Sequence, residues 1–265
     1  MMSMCDLLSV TARNVSRAFG SFVAIENISF EVAARRFVSI VGPSGCGKST
    51  LLNIIAGLTS PSKGQIEVFG EPLVGINRRA SYIFQRDALL PWKTVLANIQ
   101  FGLCLRGYNQ RNSLEKAHAW VRRIGLDGFG NHYPYQLSGG MRKRVAIAQC
   151  WIVEPDLVLM DEPFIALDVH TRLRMEEEIM NLSSSCNATI VFVTHDLEEA
   201  IALSDEVFLL SVSPCTRLVG RYPIDVPKPR NLIHIKSNLE FQNLYQNIWR
   251  DLRKEVLKDD ARTHS

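Results

Sequence analysis

The chain of 265 residues is predicted to form an α/β fold with antiparallel strands near its N-terminus and a block of inserted helices. Apolar runs that indicate buried strands alternate with amphipathic helical patterns, which is typical of parallel βαβ units. Between two such strands, residues 86–150 show mainly helical periodicity. A hydrophobic content of 46% is enough for a packed core at this length.

The first strands and the first helix follow from alternation and from one apolar run. Apolar and polar side chains alternate at residues 28–32 and again at residues 65–69, so antiparallel strands are expected within the first 75 residues. Residues 37–41 are mostly apolar, end at a glycine-rich loop and lead into a helical pattern at residues 49–56. The sequence therefore predicts a strand, a loop and a helix in that order.

The middle of the chain is predicted by the same criteria. Residues 94–149 are expected to be helical, because apolar side chains recur there every three or four positions. Further strands are expected at residues 81–84, 157–160, 189–193 and 207–211. A helix at residues 169–182 and a polar loop at residues 183–187 are expected between the second and third of these strands.

The C-terminal part should contain a connector and one more helix. A proline-rich stretch after residue 211 is expected to be extended, because proline fixes φ and removes a hydrogen-bond donor. A final helix is expected at residues 237–257, where Ser237 and Glu240 form a capping-box pattern. Its apolar stripe should pack on the α/β core, and the alternative is a regulatory or partner contact.

Charge and cysteine content exclude several classes of protein. The 30 basic and 27 acidic residues give a net charge of +3, which is too balanced for a general nucleic-acid binder, so no nucleic-acid partner is expected. The six cysteines lack metal-ligand spacing and are expected to be reduced and mostly buried. Residues 1–10 lack a signal-peptide pattern and no segment has the roughly 18 apolar residues of a spanning helix. We therefore expect a chain that is neither exported nor integral to a membrane.

A glycine-rich segment between a predicted strand and a predicted helix matches the phosphate-binding-loop pattern. It consists of Gly42, Pro43, Ser44, Gly45, Cys46, Gly47, Lys48, Ser49 and Thr50. Gly45 and Gly47 allow the backbone N–H groups to point at phosphate oxygens, at the positive end of the helix dipole. Lys48 is expected to reach the β- and γ-phosphates, and the Ser49 hydroxyl to ligate Mg²⁺. The sequence thus predicts a nucleoside triphosphate site, with ATP favoured.

Two carboxylates end the predicted strand at residues 157–160. In a parallel α/β sheet, Asp161 and Glu162 would lie at the carboxyl edge beside the phosphate loop. Asp161 is expected to hold Mg²⁺ through water, and Glu162 to polarise the attacking water as general base. An acidic turn without a catalytic role is the alternative, which the nearby phosphate loop disfavours.

Two further segments could contact phosphate. His195 follows the predicted strand at residues 189–193 and is expected to contact the γ-phosphate, although a lone histidine is often only structural. Ser138 can cap the next helical stretch, and Gly139 and Gly140 leave the N-terminus of that helix bare, as in an anion-binding site. An ordinary helix cap is the alternative for Ser138.

The order and spacing of these motifs resembles the nucleotide-binding subunit of ABC transporters over essentially the whole chain. The resemblance implies a P-loop NTPase core of the RecA-like type, with an N-terminal antiparallel β subdomain and an inserted α-helical subdomain. It implies that Phe19 stacks on adenine, that Gln85 senses the γ-phosphate and ligates the metal, and that Asp168 crosses a dimer interface. It assigns residues 7–232 to the ATP-binding domain, with the insert at about residues 86–150, and residues 233–265 to a C-terminal extension.

The resemblance also implies partners. Ser138, Gly139 and Gly140 would contact the ATP held by a second copy or a homologous subunit, so that two ATP molecules lie between two chains. Transmembrane permease subunits would bind this dimer, and a solute-binding protein would act with them indirectly. The chain would then lie peripherally on the cytoplasmic face of the inner membrane.

Finer features resemble the importers of nitrate, sulfonate and taurine. They are the Pro91-Trp92 pair, Met141 after the glycines, and the late segment at residues 225–230. Departures from the usual pattern occur at Ile165, Gln149 and the Cys150-Trp151 pair, all outside the phosphate-contacting set. The loop at residues 85–92 and the helical insert are expected to contact the membrane partner, because residues 89–92 form an apolar cluster that is expected to be exposed.

Other functions explain less of the sequence. A soluble ATPase of the same fold that acts in nucleic-acid repair or translation is the alternative, but such chains usually carry two nucleotide domains or a long coiled coil. A small GTPase or a P-loop kinase would not need the segment at residues 137–141, and the chain has no Asn-Lys-x-Asp guanine motif. A transport ATPase accounts for all of the motifs.

Overall fold

The computed structural model describes residues 8–165, 167–228 and 230–263. Residues 1–7, with Cys5 and most of the stretch considered as a signal peptide, lie outside this description, as do residues 264–265 and two single residues, Ala166 and Pro229. The strands are β1 (Leu8–Phe19), β2 (Phe22–Ala33), β3 (Phe37–Val41), β4 (Lys63–Val68), β5 (Glu71–Pro72), β6 (Ala80–Ile83), β7 (Leu157–Asp161), β8 (Thr189–Val193), β9 (Glu206–Leu210) and β10 (Leu218–Pro223). The helices are α1 (Lys48–Ile55), α2 (Val95–Leu105), α3 (Gln110–Arg123), α4 (Gly139–Trp151), α5 (Val169–Cys186), α6 (Leu197–Leu203) and α7 (Leu239–Thr263).

The strands form two sheets. The smaller sheet is antiparallel in the order β2-β1-β4-β5, which confirms the expected N-terminal antiparallel strands. The larger sheet has the order β10-β9-β3-β8-β7-β6, and all of its pairs are parallel except β9 with β10. Every residue of β3, β7 and β8 is buried, because both faces of this sheet are covered.

Two large cores cover the two faces of the parallel sheet. One core joins the antiparallel sheet and α1, through residues such as Ile28 and Leu52, to one face. The other joins helices α4 to α7, through residues such as Trp151, Ile179 and Ile248, to the opposite face. The carboxyl ends of β3, β7 and β8 meet at one edge, which places the loops that follow them side by side.

The inserted helices α2, α3 and α4 lie between β6 and β7 and have a core of their own. Val95, Ile99, Val121 and Val145 are among its buried residues. Helix α4 begins at Gly139, directly after Ser138, which caps it as expected. The expected helical insert is therefore present.

Helix α5 continues through residues 183–186, which were expected to form a polar loop. Ser184 Oγ donates to Met180 O at 2.9 Å, and Ser185 Oγ donates to Leu182 O at 3.2 Å. These hydroxyls are satisfied within the helix, so the serine run does not end it. The helix stops at Asn187, whose φ of 52° is left-handed.

The proline-rich connector contains a strand that was not expected. Strand β10 pairs antiparallel with β9 at the edge of the parallel sheet, and Pro223 is its last residue, where no further ladder donor is needed. The buried side chain of Arg230 then donates to the carbonyl oxygens of Ile201, Ala202 and Ser204. The guanidinium thereby satisfies the C-terminal end of α6 and fastens the connector to the core.

Helix α7 begins at Leu239 and reaches Thr263, so the expected limits at residues 237 and 257 were wrong. Asn238, not Ser237, caps it: Asn238 Oδ1 accepts from the N–H groups of Glu240 and Phe241 at 2.8 and 3.2 Å. Ser237 Oγ instead donates to His234 O in the preceding 3-10 turn. The apolar stripe of α7 packs on the core, as expected.

Two other expectations concern burial and membranes. Of the five described cysteines only Cys46 is buried, while Cys104 and Cys215 are exposed, so the expectation of mostly buried thiols was wrong. Within residues 8–165, 167–228 and 230–263, no helix is both long and apolar enough to cross a membrane.

Candidate nucleotide site

The phosphate loop connects β3 to α1 in a conformation that requires glycine. Gly47 has a φ of 94°, and a Cβ on Gly42 would lie 2.9 Å from Cys46 Sγ and 3.0 Å from Leu210 O. Gly47 is also the N-cap residue of α1, and no side chain caps that helix. The first N–H groups of α1 can therefore bind an anion.

The side chains of the loop divide into buried and exposed groups. Pro43 and Cys46 are buried, so only their backbone atoms could face a ligand, whereas Ser44 and Ser49 are exposed and Thr50 is partly buried. Burial raises the pKa of the Cys46 thiol, partly offset by the nearby Lys48 charge. Cys46 therefore fills space beneath the loop as a neutral thiol.

Lys48 is buried, and its ammonium group is held by the loop itself. Nζ donates to Gly42 O and to Pro43 O, both at 2.9 Å. These carbonyl oxygens keep the charge beside the N-terminus of α1 and satisfy two of its three donors. The charge is thus positioned for phosphate before any ligand arrives.

Asp161 lies next to Ser49 across the edge of the sheet. Ser49 Oγ donates to Asp161 Oδ1 at 3.0 Å, and Tyr82 OH donates to Asp161 Oδ2 at 3.4 Å. Burial raises the pKa of Asp161, while the hydrogen bond from Ser49 opposes that shift. Burial and the charge of Asp161 raise the pKa of Tyr82, so the phenol remains a donor.

Glu162 lies between Gln85 and His195. Gln85 Nε2 donates to Glu162 Oε2 at 3.3 Å, and His195 Nδ1 lies 3.5 Å from the same oxygen. The backbone of Glu162 has a φ of 44°, and its N–H donates to Val193 O of β8. The end of β7 thus turns out of the sheet and aims this carboxylate along the edge.

The loop that carries His195 is anchored on both sides. Thr194 Oγ1 donates to the buried Glu199 at 2.7 Å, and Asp196 caps α6 by accepting from the N–H groups of Glu198 and Glu199. The His195 side chain itself is 56% exposed. A fixed backbone therefore presents an accessible imidazole beside Glu162.

Ser138, Gly139 and Gly140 lie at the start of α4, beside α5. Ser138 Oγ accepts from Met141 N at 3.2 Å, and a Cβ on Gly140 would lie 2.8 Å from Thr171 Cγ2. Asp168 caps α5 by accepting from Thr171 N, and hydrogen bonds from the side chain and then the backbone of Thr171 lower the pKa of its carboxyl. Among the described residues, no hydrogen bond or ion pair joins this group to the phosphate loop.

Phe19, at the end of β1, is 49% exposed. The guanidinium of Arg17 lies 4.6 Å from the centroid of its ring. Cation–π contact on an exposed aromatic ring contributes about 0.5–1 kcal/mol. Phe19 therefore offers an apolar ring for stacking at the edge of the antiparallel sheet.

Three residues that position the side chains of this site were not predicted from the sequence. They are Tyr82, which donates to Asp161, and Lys143 and Asp87, which connect the Gln85 loop to α4. One signal was present: Lys143 is spaced four and eight residues from the apolar Ile147 and Trp151, both of which are buried. A lysine on the apolar face of a helix is usually buried only with partners.

Known proteins resemble this chain over most of its length. The family described as ABC transporter matches residues 25–165. The aliphatic sulfonates import ATP-binding protein SsuB of Bacillus cereus is 41% identical over 255 residues, covering 95% of this chain and 95% of its own. The taurine import ATP-binding protein TauB of Yersinia pestis is 44% identical over 191 residues, covering 72% of this chain and 75% of its own.

A solved structure shares the fold. The ATP-binding cassette MJ0796, in a dimeric post-hydrolysis state bound to ADP and Pi, has a TM-score of 0.73 and 29% identity and covers 81% of this chain and 98% of its own. These findings confirm the resemblance drawn from the motifs and the fold that it implied. The chain belongs to the ABC transporter family, of which it is an ATP-binding cassette.

Proposed function

We propose that this chain is the ATP-hydrolysing subunit of an ABC importer for taurine, an aliphatic sulfonate, nitrate or a similarly small solute. The position of Glu162 is the main support for ATP hydrolysis, because its carboxylate lies against Gln85 and His195. The same edge of the parallel sheet also holds Lys48 and Asp161. The names of the relatives SsuB and TauB support the importer and the class of solute.

ATP binding would use the phosphate loop and the exposed aromatic ring. The N–H groups at the start of α1 would bind phosphate oxygens, and Lys48 would exchange its carbonyl acceptors for the β- and γ-phosphates. Phe19 would stack on the adenine. Exposed Ser44 would lie on the ligand side of the loop, as would Thr50 through its backbone.

Mg²⁺ suits the oxygen groups that the chain offers. Ser49 and Asp161 present a hydroxyl and a carboxylate 3.0 Å apart, and Mg²⁺ prefers such ligands together with substrate phosphates and water. Gln85 is the third candidate, although in this structure its amide nitrogen faces Glu162. Bound at this position, the ion would neutralise charge on the phosphate groups.

Hydrolysis would follow from the carboxylate and the imidazole. Glu162 Oε2 would accept a proton from a water molecule as the water oxygen attacks the γ-phosphorus, and the bond to the ADP oxygen would break. His195 would donate a hydrogen bond to a γ-phosphate oxygen. The products are ADP and inorganic phosphate.

A second chain would complete the site. Ser138, Gly139 and Gly140 would form an anion-binding helix end beside Asp168, and among the described residues no hydrogen bond or ion pair joins them to the phosphate loop. A copy of this chain or a homologous subunit would place that helix end on the ATP of the first chain. MJ0796, solved as a dimer, supports this arrangement.

The remaining partners follow from the importer proposal. Transmembrane permease subunits would bind near residues 89–92, where Trp92 is 71% exposed, and a solute-binding protein would deliver the solute to them. The chain would then lie peripherally on the cytoplasmic face of the inner membrane. Residues 7–232, with the insert at about residues 86–150, would form the ATP-binding domain, and residues 233–265 the C-terminal extension.

Purification of the tagged chain from its native membranes tests the proposal. Membrane-spanning subunits should co-purify with it, and the complex should hydrolyse ATP in the presence of Mg²⁺. Lys48→Ala should abolish ATP binding and hydrolysis without preventing co-purification, because its contacts lie within the phosphate loop. Wild-type hydrolysis by that variant, or the lack of any membrane-spanning partner, would contradict the proposal.

A further inference from the structure

Lys143 is a buried lysine in α4 whose ammonium group reaches the loop after β6. Its side chain is only 4% exposed. Nζ donates to Phe84 O at 3.1 Å and to Gln85 O at 3.2 Å, and it lies 3.6 Å from Asp87 Oδ1. The three N–H donors of the ammonium group are thus directed at three oxygen atoms of one short loop, residues 84–87.

Because the ammonium group is buried, breaking its contacts with the loop would cost free energy. Desolvation lowers the pKa of Lys143, and the charge of Asp87 partly opposes that shift. A buried charge persists only where its hydrogen bonds are satisfied, so the loop must keep these three acceptors in place. The contact therefore holds the backbone of Gln85 at a fixed distance from α4.

A second residue of α4 strengthens the same connection. Arg142 Nε lies 3.3 Å from Asp87 Oδ2, and Arg142 NH1 donates to Leu137 O, just before Ser138. Asp87 thus connects Arg142 and Lys143. The segment before α4 and the Gln85 loop are joined through one carboxylate.

We propose that Lys143 is a positioning residue for ATP hydrolysis, which ties the Gln85 loop to α4 and so keeps the Gln85 amide against Glu162. The inference rests on the proposed function, since it assigns Lys143 to that same ATP site. In the proposed dimer, Gln85 serves the ATP of its own chain and the start of α4 serves the ATP of the partner. Lys143 therefore connects the Gln85 loop, which belongs to one ATP site, with α4, whose start belongs to the other ATP site.

The Lys143→Met variant tests this role, because it keeps the apolar stem and removes all three contacts. Charge-assisted hydrogen bonds of this kind correspond to roughly ten-fold or larger effects. The kcat of ATP hydrolysis is expected to fall about ten-fold or more, while the KM for ATP stays within about two-fold. An unchanged kcat, or a rise in KM alone, overturns the proposal.

Matched variants separate positioning from general stability. Lys116→Met removes an exposed lysine of α3 that pairs with Glu154 at 2.9 Å, and it should leave kcat unchanged. Asp87→Asn keeps the carbonyl contacts of Lys143 but removes the charge, so its loss of kcat should be smaller. Thermal unfolding verifies that each protein is folded, and Lys143→Gln replaces Lys143→Met if the latter does not fold.

The double variant Lys143→Met/Gln85→Ala identifies the route of the effect. If Lys143 acts by holding Gln85, the double variant should lose no more kcat than Gln85→Ala alone. Losses that multiply would overturn the proposal, because Lys143 would then act independently of Gln85. A wild-type complex without hydrolysis at saturating ATP and Mg²⁺ would instead contradict the proposed function.

Discussion

Glu162 has a backbone conformation that few residues other than glycine adopt. A left-handed φ at such a residue costs on the order of 1 kcal/mol, which the surrounding structure must offset. The hydrogen bond from Glu162 N to Val193 O helps to hold this turn. The result is a carboxylate aimed at Gln85 and His195 instead of into the sheet.

Replacing this carboxylate should affect turnover and spare binding. Glu162→Gln keeps the size of the side chain but removes the proposed general base, so kcat should fall by roughly 10²-fold or more. ATP affinity, measured by equilibrium binding, should remain within about two-fold, because Lys48 and the start of α1 are untouched. Glu154→Gln, a change at an exposed carboxylate of the same molecule, is the matched control and should behave as wild type.

Among the individual residues of the site, those that directly follow predicted strands could be identified from the sequence. The phosphate loop, Asp161, Glu162 and His195 all follow apolar runs, and the structure brings those loops to one edge. Lys143 was missed because a lysine within a helix is usually solvated, and because the two carbonyl oxygens that accept from it, those of Phe84 and Gln85, lie 59 and 58 residues away along the chain. Asn238 was missed as a cap because Ser237, with Glu240 three residues later, matches the capping-box pattern, whereas Asn238 is followed at that spacing by Phe241.

The site depends on which strands lie side by side in the parallel sheet, and the sequence of a single strand does not specify its neighbours. Asp161 pairs in register with Val193, so the ends of β7 and β8 coincide and Glu162 lies next to His195. Apolar runs predicted β7 and β8, but neither run specifies its neighbours. Strand β10 was missed for a related reason, since apolar and polar residues alternate only weakly in its sequence and it lies at the sheet edge, where it pairs with β9.

A buried carboxyl between α5, α6 and the C-terminal segment should make stability depend on pH. Burial, with a smaller contribution from the neighbouring charges of Glu199 and Asp196, raises the pKa of Glu176 to about 7, although the charges of Arg172 and Lys236 oppose the shift. The folded pKa is higher than the unfolded one, so folding favours the protonated form. Stability should therefore fall as pH rises from about 4.5 to about 7.

The Glu176→Gln variant should remove this dependence. Its free energy of unfolding should exceed that of the wild type at pH 8, by on the order of 1 kcal/mol, and the gain should vanish near pH 4.5. Thermal unfolding of both proteins at several pH values measures the difference. A gain that is the same at pH 4.5 and pH 8 would show that Glu176 is not the titrating group.

For the whole molecule, the proposed function gives one chain half of each of two ATP sites. The phosphate loop, Glu162 and His195 lie together, whereas Ser138 to Gly140 lie beside Asp168 at the start of α5. Periodicity predicted the helices that separate them, whereas the expected second chain came from the family resemblance and the strand order of the two sheets came only from the structure. Non-local packing of this kind leaves no repeating pattern in a sequence.

The surface around the exposed Pro91 and Trp92 should bind the permease subunits, whereas Leu89 and Leu90, which were expected to be exposed, are partly buried. Trp92→Asp places a charge on a side chain that is 71% exposed, so the folded cassette should tolerate it while an apolar contact with a partner should not. Co-purification with membrane subunits and solute-stimulated hydrolysis should be lost, and ATP binding should remain. If assembly and stimulated hydrolysis both survive, the permease binds elsewhere.

Under the proposed function, two chains close over ATP, and Glu162 then promotes its hydrolysis. The molar mass of purified Glu162→Gln in solution, measured by light scattering with and without saturating ATP and Mg²⁺, tests this arrangement. With ATP the mass should be twice that of one chain, and it should revert to that of one chain when Ser138→Arg is added to block the partner's site. A mass that stays that of one chain at saturating ATP, or a dimer that Ser138→Arg leaves intact, would rule out the arrangement.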